Sequence, residues 1–195
     1  MSSPTKPLPA GTTGPQKPRR ADARRNRARI LAAAASQLAD RGLDVQMEDI
    51  ARAAGVGVGT IYRNFPTKQA LHDALWEEKR QRIVELTRRA LGNPDAWGAI
   101  VQLFEEGTAM QVEDLGWSQV LGAMPGGMGP DEMPELHELT MAVVNRAKDS
   151  GAIRQDFDYT DVGNIFCGMA AVIATHGPAA REGMLRVILD GLRPH

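Results

Sequence analysis

One glycine constrains this chain more than any other residue. Gly55 separates two short apolar patterns inside Met47–Lys68, MEDIARAAGVGVGTIYRNFPTK. Before it, Ile50, Ala51 and Ala54 recur at helical spacing; after it, Ile61 and Phe65 stand four residues apart. Two helices joined so closely must cross sharply. The crossing needs a residue that takes positive φ, and glycine does so at little cost. Ala51, Gly55 and Ile61 then supply a small residue at the closest approach, a hinge and a branched anchor. The pattern predicts a helix over Met47–Ala54 and a second over about Gly57–Phe65. Opposite the anchor, Val58, Thr60, Tyr62, Arg63 and Asn64 point outward with no apolar reason to be there, and Lys68 opens the next helix.

A helix–turn–helix of this kind, with a polar second helix facing out, is suited to reading DNA. Gly55, Gly57 and Gly59 also suggest a phosphate cradle, but such loops follow a strand and need Lys-Ser or Lys-Thr directly after their glycines. Here a helix precedes and Thr60-Ile61 follows. An ordinary helical hairpin on the surface is the plain alternative. The charge distribution favours the nucleic-acid reading. Met1–Lys68 holds 12 Lys+Arg against 5 Asp+Glu, or +7, whereas Gln69–His195 holds 11 against 19, or −8, within a total of −1. A basic head on an acidic body presents one end to a polyanion and holds the other away.

Met1–Arg20 is rich in Pro, Gly, Ser, Thr and Lys and is expected to be a disordered basic tail. Arg19, Arg20, Arg24, Arg25, Arg27 and Arg29 follow with little acidic relief. A solvated charge run is the ordinary reading; directly before a helix–turn–helix they are suited to phosphates or the minor groove. The first helix is expected over about Asp22–Arg41, with Ile30, Ala34 and Leu38 inward and Gly42 ending it. Thr67 is expected to cap a fourth helix reaching about Leu91, with Leu71, Ala74, Leu75, Ile83 and Leu86 inward. That helix is the natural mechanical link between head and body. Residues 21–68 thus form the expected reading domain and 69–195 a helical body.

In the body, Asn93-Pro94 signals the start of a helix over about Pro94–Met110, carrying Trp97, Ile100, Val101 and Phe104. A shorter helix is expected over Val112–Ala123 and a loop over Met124–Pro130. Further helices are expected over about Glu132–Ser150, over Thr160–Thr175 with Thr160 as cap, and after His176-Gly177-Pro178. No stretch alternates as a strand should. The expected class is all-α: a three-helix, homeodomain-like head and a helical bundle, about nine helices altogether.

A single cysteine, Cys167, excludes an intrachain disulfide and a cysteine-based zinc site, and agrees with a reducing compartment. It reads as a small core residue. No run is long enough to span a membrane and no signal-peptide core is visible, which points to the cytoplasm. Asp156, Asp158 and Thr160 imitate the start of a calcium loop, but Asp161 stands where its glycine belongs and Cys167 where its glutamate belongs. No His-x3-His pair, nucleophile elbow or catalytic carboxylate pair stands out, so neither an enzyme nor a metal or cofactor is expected. An architectural DNA binder with no sequence preference is the other rival.

The first ninety residues resemble the DNA-binding domain of the TetR family of bacterial transcriptional regulators. The matching residues are Arg29-Ile30-Leu31-Ala32-Ala33-Ala34, Asp49-Ile50-Ala51, Ala54-Gly55-Val56, Gly59-Thr60-Ile61-Tyr62, Phe65 and Lys68-Gln69-Ala70-Leu71. The body is similar to the family's C-terminal domain in architecture alone. The resemblance implies a homodimer, a palindromic operator and a cavity for a small, mainly apolar effector that changes DNA affinity, most often as a repressor. It also implies that Val58, Thr60, Arg63 and Asn64 face bases while Tyr62 and Lys68 hold phosphates. Arg24, Arg25, Arg27, Gln46, Gly57 and Gly59 complete the expected DNA surface. Gly57 stands where the family often has serine, and Asn64 where it has histidine or tyrosine.

For an effector, five of the nine methionines (110, 124, 128, 133 and 141) cluster between Met110 and Met141. Methionine adapts its shape, so such a lining admits varied apolar molecules. On composition alone, irregular core filling accounts for the same residues. Trp97, Phe104, Trp117, Met124, His137 and Met141 are the expected pocket. The dimer surface is expected on the last two helices at Phe166, Met169, Ile173, Leu185 and Leu189, where Gly163, Gly168, Ala170, Ala171 and Ala174 allow close approach. The same helix can instead be central to the monomer core.

Overall fold

Eight α-helices and no strand make up the described part of the chain. The computed structural model describes residues 17–113, 131 and 133–194. The helices are α1 (Lys17–Arg41), α2 (Met47–Ala53), α3 (Val58–Asn64), α4 (Lys68–Gly92), α5 (Ala96–Glu113), α6 (Pro134–Asp149), α7 (Tyr159–His176) and α8 (Ala180–Gly191), with a 3-10 turn at Gly42–Asp44. Of the short helix expected over Val112–Ala123, the first two residues belong to α5 and the rest lies outside the described residues.

Apolar side chains gather into two cores. The first takes Ile30, Ala34 and Leu38 from α1, Ile50 and Ala51 from α2, Ile61 from α3, Phe65, and Leu71 and Leu75 from α4. The second takes Leu86 and Ala90 from α4, Ile100, Leu103 and Phe104 from α5, Val143, Val144 and Ala147 from α6, Met169 and Ile173 from α7, and Leu185 from α8. One helix therefore supplies both cores. At 25 residues, α4 is about 37 Å long, enough to place its two ends in different hydrophobic interiors.

The body grips α4 by its arginines. Arg82 pairs with Glu113 at 2.9 Å, Arg88 with Glu135 at 2.6 Å and Arg89 with Glu106 at 2.6 Å. The Arg89 hydrogen bond holds the Glu106 carboxyl below its ordinary pKa. Arg146 of α6 donates through Nη1 to the Leu91 carbonyl at 2.8 Å, satisfying an acceptor that the end of α4 leaves open. Exposed ion pairs contribute little stability each, at most about 1 kcal/mol. Their effect is geometric: they tie α4 to α5 at Glu106 and Glu113 and to α6 at Glu135.

Several helix starts differ from expectation, three of them with a clear local cause. α1 begins at Lys17, inside the stretch expected to be disordered through Arg20, because its alanines and arginines are strong helix formers. α5 begins at Ala96 rather than Pro94: the Asp95 carboxylate accepts from the backbone N–H of Trp97 at 3.2 Å and Gly98 at 2.9 Å. Asn93 Oδ1 accepts from Asp95 N and leaves Pro94 in the turn. Thr160 is not the cap of α7. Asp158 is, in a capping box: Asp158 accepts from Asp161 N at 3.1 Å and Asp161 accepts from Asp158 N at 2.9 Å. Thr67 caps α4 as expected, accepting from Ala70 N at 3.0 Å.

Candidate nucleic-acid interface

The turn that presents α3 closes on itself and on α1. Gly55 adopts φ 62°, its N–H donates to the Arg52 carbonyl at 3.1 Å, and Val56 N–H donates to Ala51 at 3.0 Å. Together these satisfy the last carbonyls of α2 in a Schellman arrangement. From α1, Arg29 donates through Nη2 to the Gly55 carbonyl at 3.1 Å. A Cβ at Gly55 would lie 2.7 Å from that guanidinium. Gly57 is the residue before α3, extended and without a side-chain cap, so the helix starts one residue later than expected.

Below the surface, Ile61 and Phe65 are fully buried, as their spacing requires. Above it, Val58 is 47% exposed and Tyr62 41%. Arg63 and Gly59 are exposed, while Thr60, Asn64 and Lys68 are half-buried. The polar groups of this face are satisfied within the protein. Tyr62 donates its hydroxyl to Glu48 Oε1 at 3.0 Å, a bond that raises the phenol's pKa. Arg63 folds back along its own helix, donating from Nε to the Gly59 carbonyl at 3.0 Å and from Nη2 to Thr60 Oγ1 at 3.1 Å. Asn64 Nδ2 donates to the Thr60 carbonyl at 2.8 Å. Lys68 Nζ donates to the Leu43 carbonyl, and Gln46 Nε2 to Asp44 at 2.7 Å.

The arginines of α1 separate into distinct roles. Arg27 lies over the Phe65 ring, 4.6 Å from its centroid, and Arg29 holds the turn. Arg25 pairs with Asp22, while Arg24 stands exposed. The positioning roles of Arg27 and Arg29, and the presence of Glu48 beside Tyr62, have no signature in linear spacing. A cation–π contact across 38 residues and a carboxylate 14 residues from its phenol depend on how α1 and α2 cross α3.

This geometry has close counterparts. Residues 30–75 match the family of bacterial regulatory proteins of the tetR type, and residues 98–194 match the SbtR-like C-terminal domain of transcriptional regulators. A TetR transcription regulatory protein from Mycobacterium vanbaalenii is 34% identical, with a TM-score of 0.63 over 91% of this chain and all of that one. The chain belongs to the TetR family. A second TetR regulator, SCO0520 of Streptomyces coelicolor, is 32% identical with a TM-score of 0.66 over 86% of this chain and 98% of that one. An HTH-type transcriptional regulator of Staphylococcus aureus, SAR0097, is 39% identical over 75 residues, 36% of this chain and 39% of that protein. This TetR-family member is a helix–turn–helix, DNA-binding transcriptional regulator.

In the body of this TetR chain, four of the residues expected to line a pocket lie among the described residues, Trp97 and Phe104 on α5 and His137 and Met141 on α6. Phe104 is fully buried in the core, its ring 5.3 Å from Phe166 and 6.5 Å from Phe157. His137 and Met141 lie half-buried on α6, with His137 edge-on to Tyr159 at 4.4 Å. Trp117 and Met124 lie outside the described residues. Trp97 lines an open groove of about 530 Å³ between α5 and α8 with Val101, Glu105, Leu185 and Leu189. There Arg193 covers the indole at 3.9 Å.

Three of the five residues expected at a dimer surface face the wrong way for one. Met169, Ile173 and Leu185 are at most 5% exposed in the isolated chain, because α5 packs against that side of α7 and α8. Phe166 is half-buried over Gly107, where a Cβ would approach its ring to 2.6 Å. The outer face of α7 instead exposes Gly163, Cys167, Gly168, Ala171 and Ala174, continued on α8 by Met184 and Val187. Cys167 is thus a surface residue, not a core one. Among the described residues no His, Cys, Asp and Glu cluster could hold a metal, and no helix is long and apolar enough to cross a membrane.

Proposed function

We propose that this protein is a dimeric, effector-responsive repressor that recognises a palindromic operator. The carrying observation is α3 itself: seven residues on a buried apolar anchor, exposing Val58, Tyr62 and Arg63. One such helix covers too few base pairs to select a promoter. Two, about 34–36 Å apart, would read successive turns of the same groove. Arg63 would leave its own helix to contact guanine, with Val58, Thr60 and Asn64 on neighbouring bases and Tyr62 and Lys68 on phosphates. Gln46, Gly57 and Gly59 would bring backbone close to the duplex, and Arg24 would reach beyond the helix–turn–helix.

The partner surface in this reading is the outer face of α7 and α8. Small residues at Gly163, Gly168, Ala171 and Ala174 allow two helices to pack closely, and exposed Val187 and Met184 would lose water on pairing. A small, mainly apolar effector in the body would act through α4. Because α4 supplies both cores and is tied to α5 and α6 by Arg82, Arg88 and Arg89, a displacement of the body tilts the helix that opens at Lys68. A coupling of about 1–3 kcal/mol is typical for such linked sites.

Selection of bound duplexes from a random pool by the full-length protein tests the reading directly. Recovery of an inverted repeat with one-turn half-site spacing is expected. Equal affinity for the selected and a random duplex at every salt concentration would favour a non-specific architectural binder.

A further inference from the structure

Glu48 sits where a DNA reader gains nothing from an acid. It is exposed, in the first turn of α2, and its Oε1 accepts the hydroxyl of Tyr62 at 3.0 Å. Both partners are open to solvent, so the bond contributes little to holding the fold. Neither α2 nor α3 needs it: Ile50, Ala51 and Ile61 anchor the two helices in the core. Among the described residues Glu48 also has no cationic partner, since Arg52 and Arg41 pair with the neighbouring Asp49 instead. An unneutralised carboxylate therefore stands on the face that Val58, Tyr62 and Arg63 share, where it both repels phosphates and occupies the phenol that would bind one.

We propose that Glu48 is a brake on operator docking, an internal stand-in for a DNA phosphate that Tyr62 must exchange when α3 is seated. This rests on the reading of α3 as the DNA contact. The exchange requires a backbone phosphate to arrive within hydrogen-bond reach of Tyr62 Oη, which happens only when α3 is seated in register. A loosely held, sliding complex keeps the Glu48–Tyr62 bond and gives up nothing. Glu48 thus weakens binding to the operator, where that bond is surrendered and a phosphate comes close to the carboxylate, more than binding to arbitrary duplex, and narrows the ratio between them. The charges around it do not cancel this: Arg63 is turned back onto Gly59 and Thr60, and Lys68 onto Leu43.

The experiment compares wild type, E48Q, E48A, Y62F and E48A/Y62F as full-length protein. The probes are a duplex selected by the wild type from a random pool and a random-sequence duplex of equal length, titrated at several salt concentrations. Glutamine removes the charge and keeps the acceptor; alanine removes both. E48Q is expected to tighten operator binding about threefold at low salt, the size of one unit-charge repulsion through water, and random-duplex binding by less. E48A should tighten operator binding further, and that added gain should vanish in the Y62F background. Unchanged or weakened operator affinity in E48Q overturns the brake, and an undiminished E48A gain with Phe at 62 overturns the role of the tyrosine. If the wild type has no preference between duplexes, the DNA-reading itself fails and the brake fails with it. If that preference is present and E48Q leaves the ratio unmoved, the brake alone falls. Thermal unfolding of E48Q and E48A, expected to match wild type, keeps misfolding from imitating either result.

Discussion

Replacing Gly55 by alanine should damage the reading head out of proportion to one methyl group. The residue holds φ 62°, and a β-carbon there lies 2.7 Å from the Arg29 guanidinium. Two costs follow. The left-handed backbone costs an L-residue about 1–2 kcal/mol. The displaced Arg29–Gly55 hydrogen bond, being exposed, adds about 1 kcal/mol. The sum, about 2–3 kcal/mol, corresponds to a fall in Tm of about 5–10 °C for a chain of this size. Calorimetry at fixed protein concentration is the assay, with Arg29→Ala as a second perturbation. Arg29→Ala alone should cost about 1 kcal/mol, and the double variant less than the sum, because removing the guanidinium also removes the clash. If Gly55→Ala melts within about 1 °C of wild type, or the two changes add fully, the account of the turn is wrong.

Gly57→Ser should stabilise the protein by about 0.5–1 kcal/mol, since the position before α3 is extended, uncapped and open, and a hydroxyl there can accept from Thr60 N; denaturant titration measures it. Arg63→Ala should leave Tm unchanged and relax discrimination at one base pair by about 1–3 kcal/mol, seen as a single degenerate position in the selected operator. Lys68→Ala should weaken all duplexes alike and reduce the salt slope by about one. Burial, with Lys68 adding to it, holds His72 below the ordinary histidine pKa, while Asp73 opposes the shift. The unfolded chain therefore takes up that proton more readily than the folded one, so stability is full above about pH 6.5 and declines as pH falls through that value. His72→Leu should flatten this part of the Tm–pH curve.

Much of the head was legible because its determinants are local. Ile50, Ala51, Ala54, Ile61 and Phe65 lie within sixteen residues of one another, and helical periodicity with one glycine is enough to orient them. The start of α5 was not, since Asn93-Pro94 and Asp95 are competing signals two residues apart and the winner depends on where α5 meets the core. The faces of α7 were harder still. Val162, Ile165, Phe166, Met169, Val172 and Ile173 form one stripe, but the small apolar residues Cys167, Ala170, Ala171 and Ala174 cover the other sides, so periodicity within the helix does not say which side packs in the monomer core and which is left outside.

From the linear chain alone came the all-helical class, the position of the hinge at Gly55, the outward set from Val58 to Lys68 and the separation of basic head from acidic body. Each depends on contacts within a few residues or on charge sums, and both survive without knowledge of the fold. Tertiary packing decided that Met169 and Leu185 belong to the monomer core, that Cys167 is exposed, that Arg27 and Arg29 brace α3, and that Glu48 meets Tyr62. Those pairings join helices whose crossing is set by the collective burial of many side chains, and spacing along one helix carries no record of its neighbour.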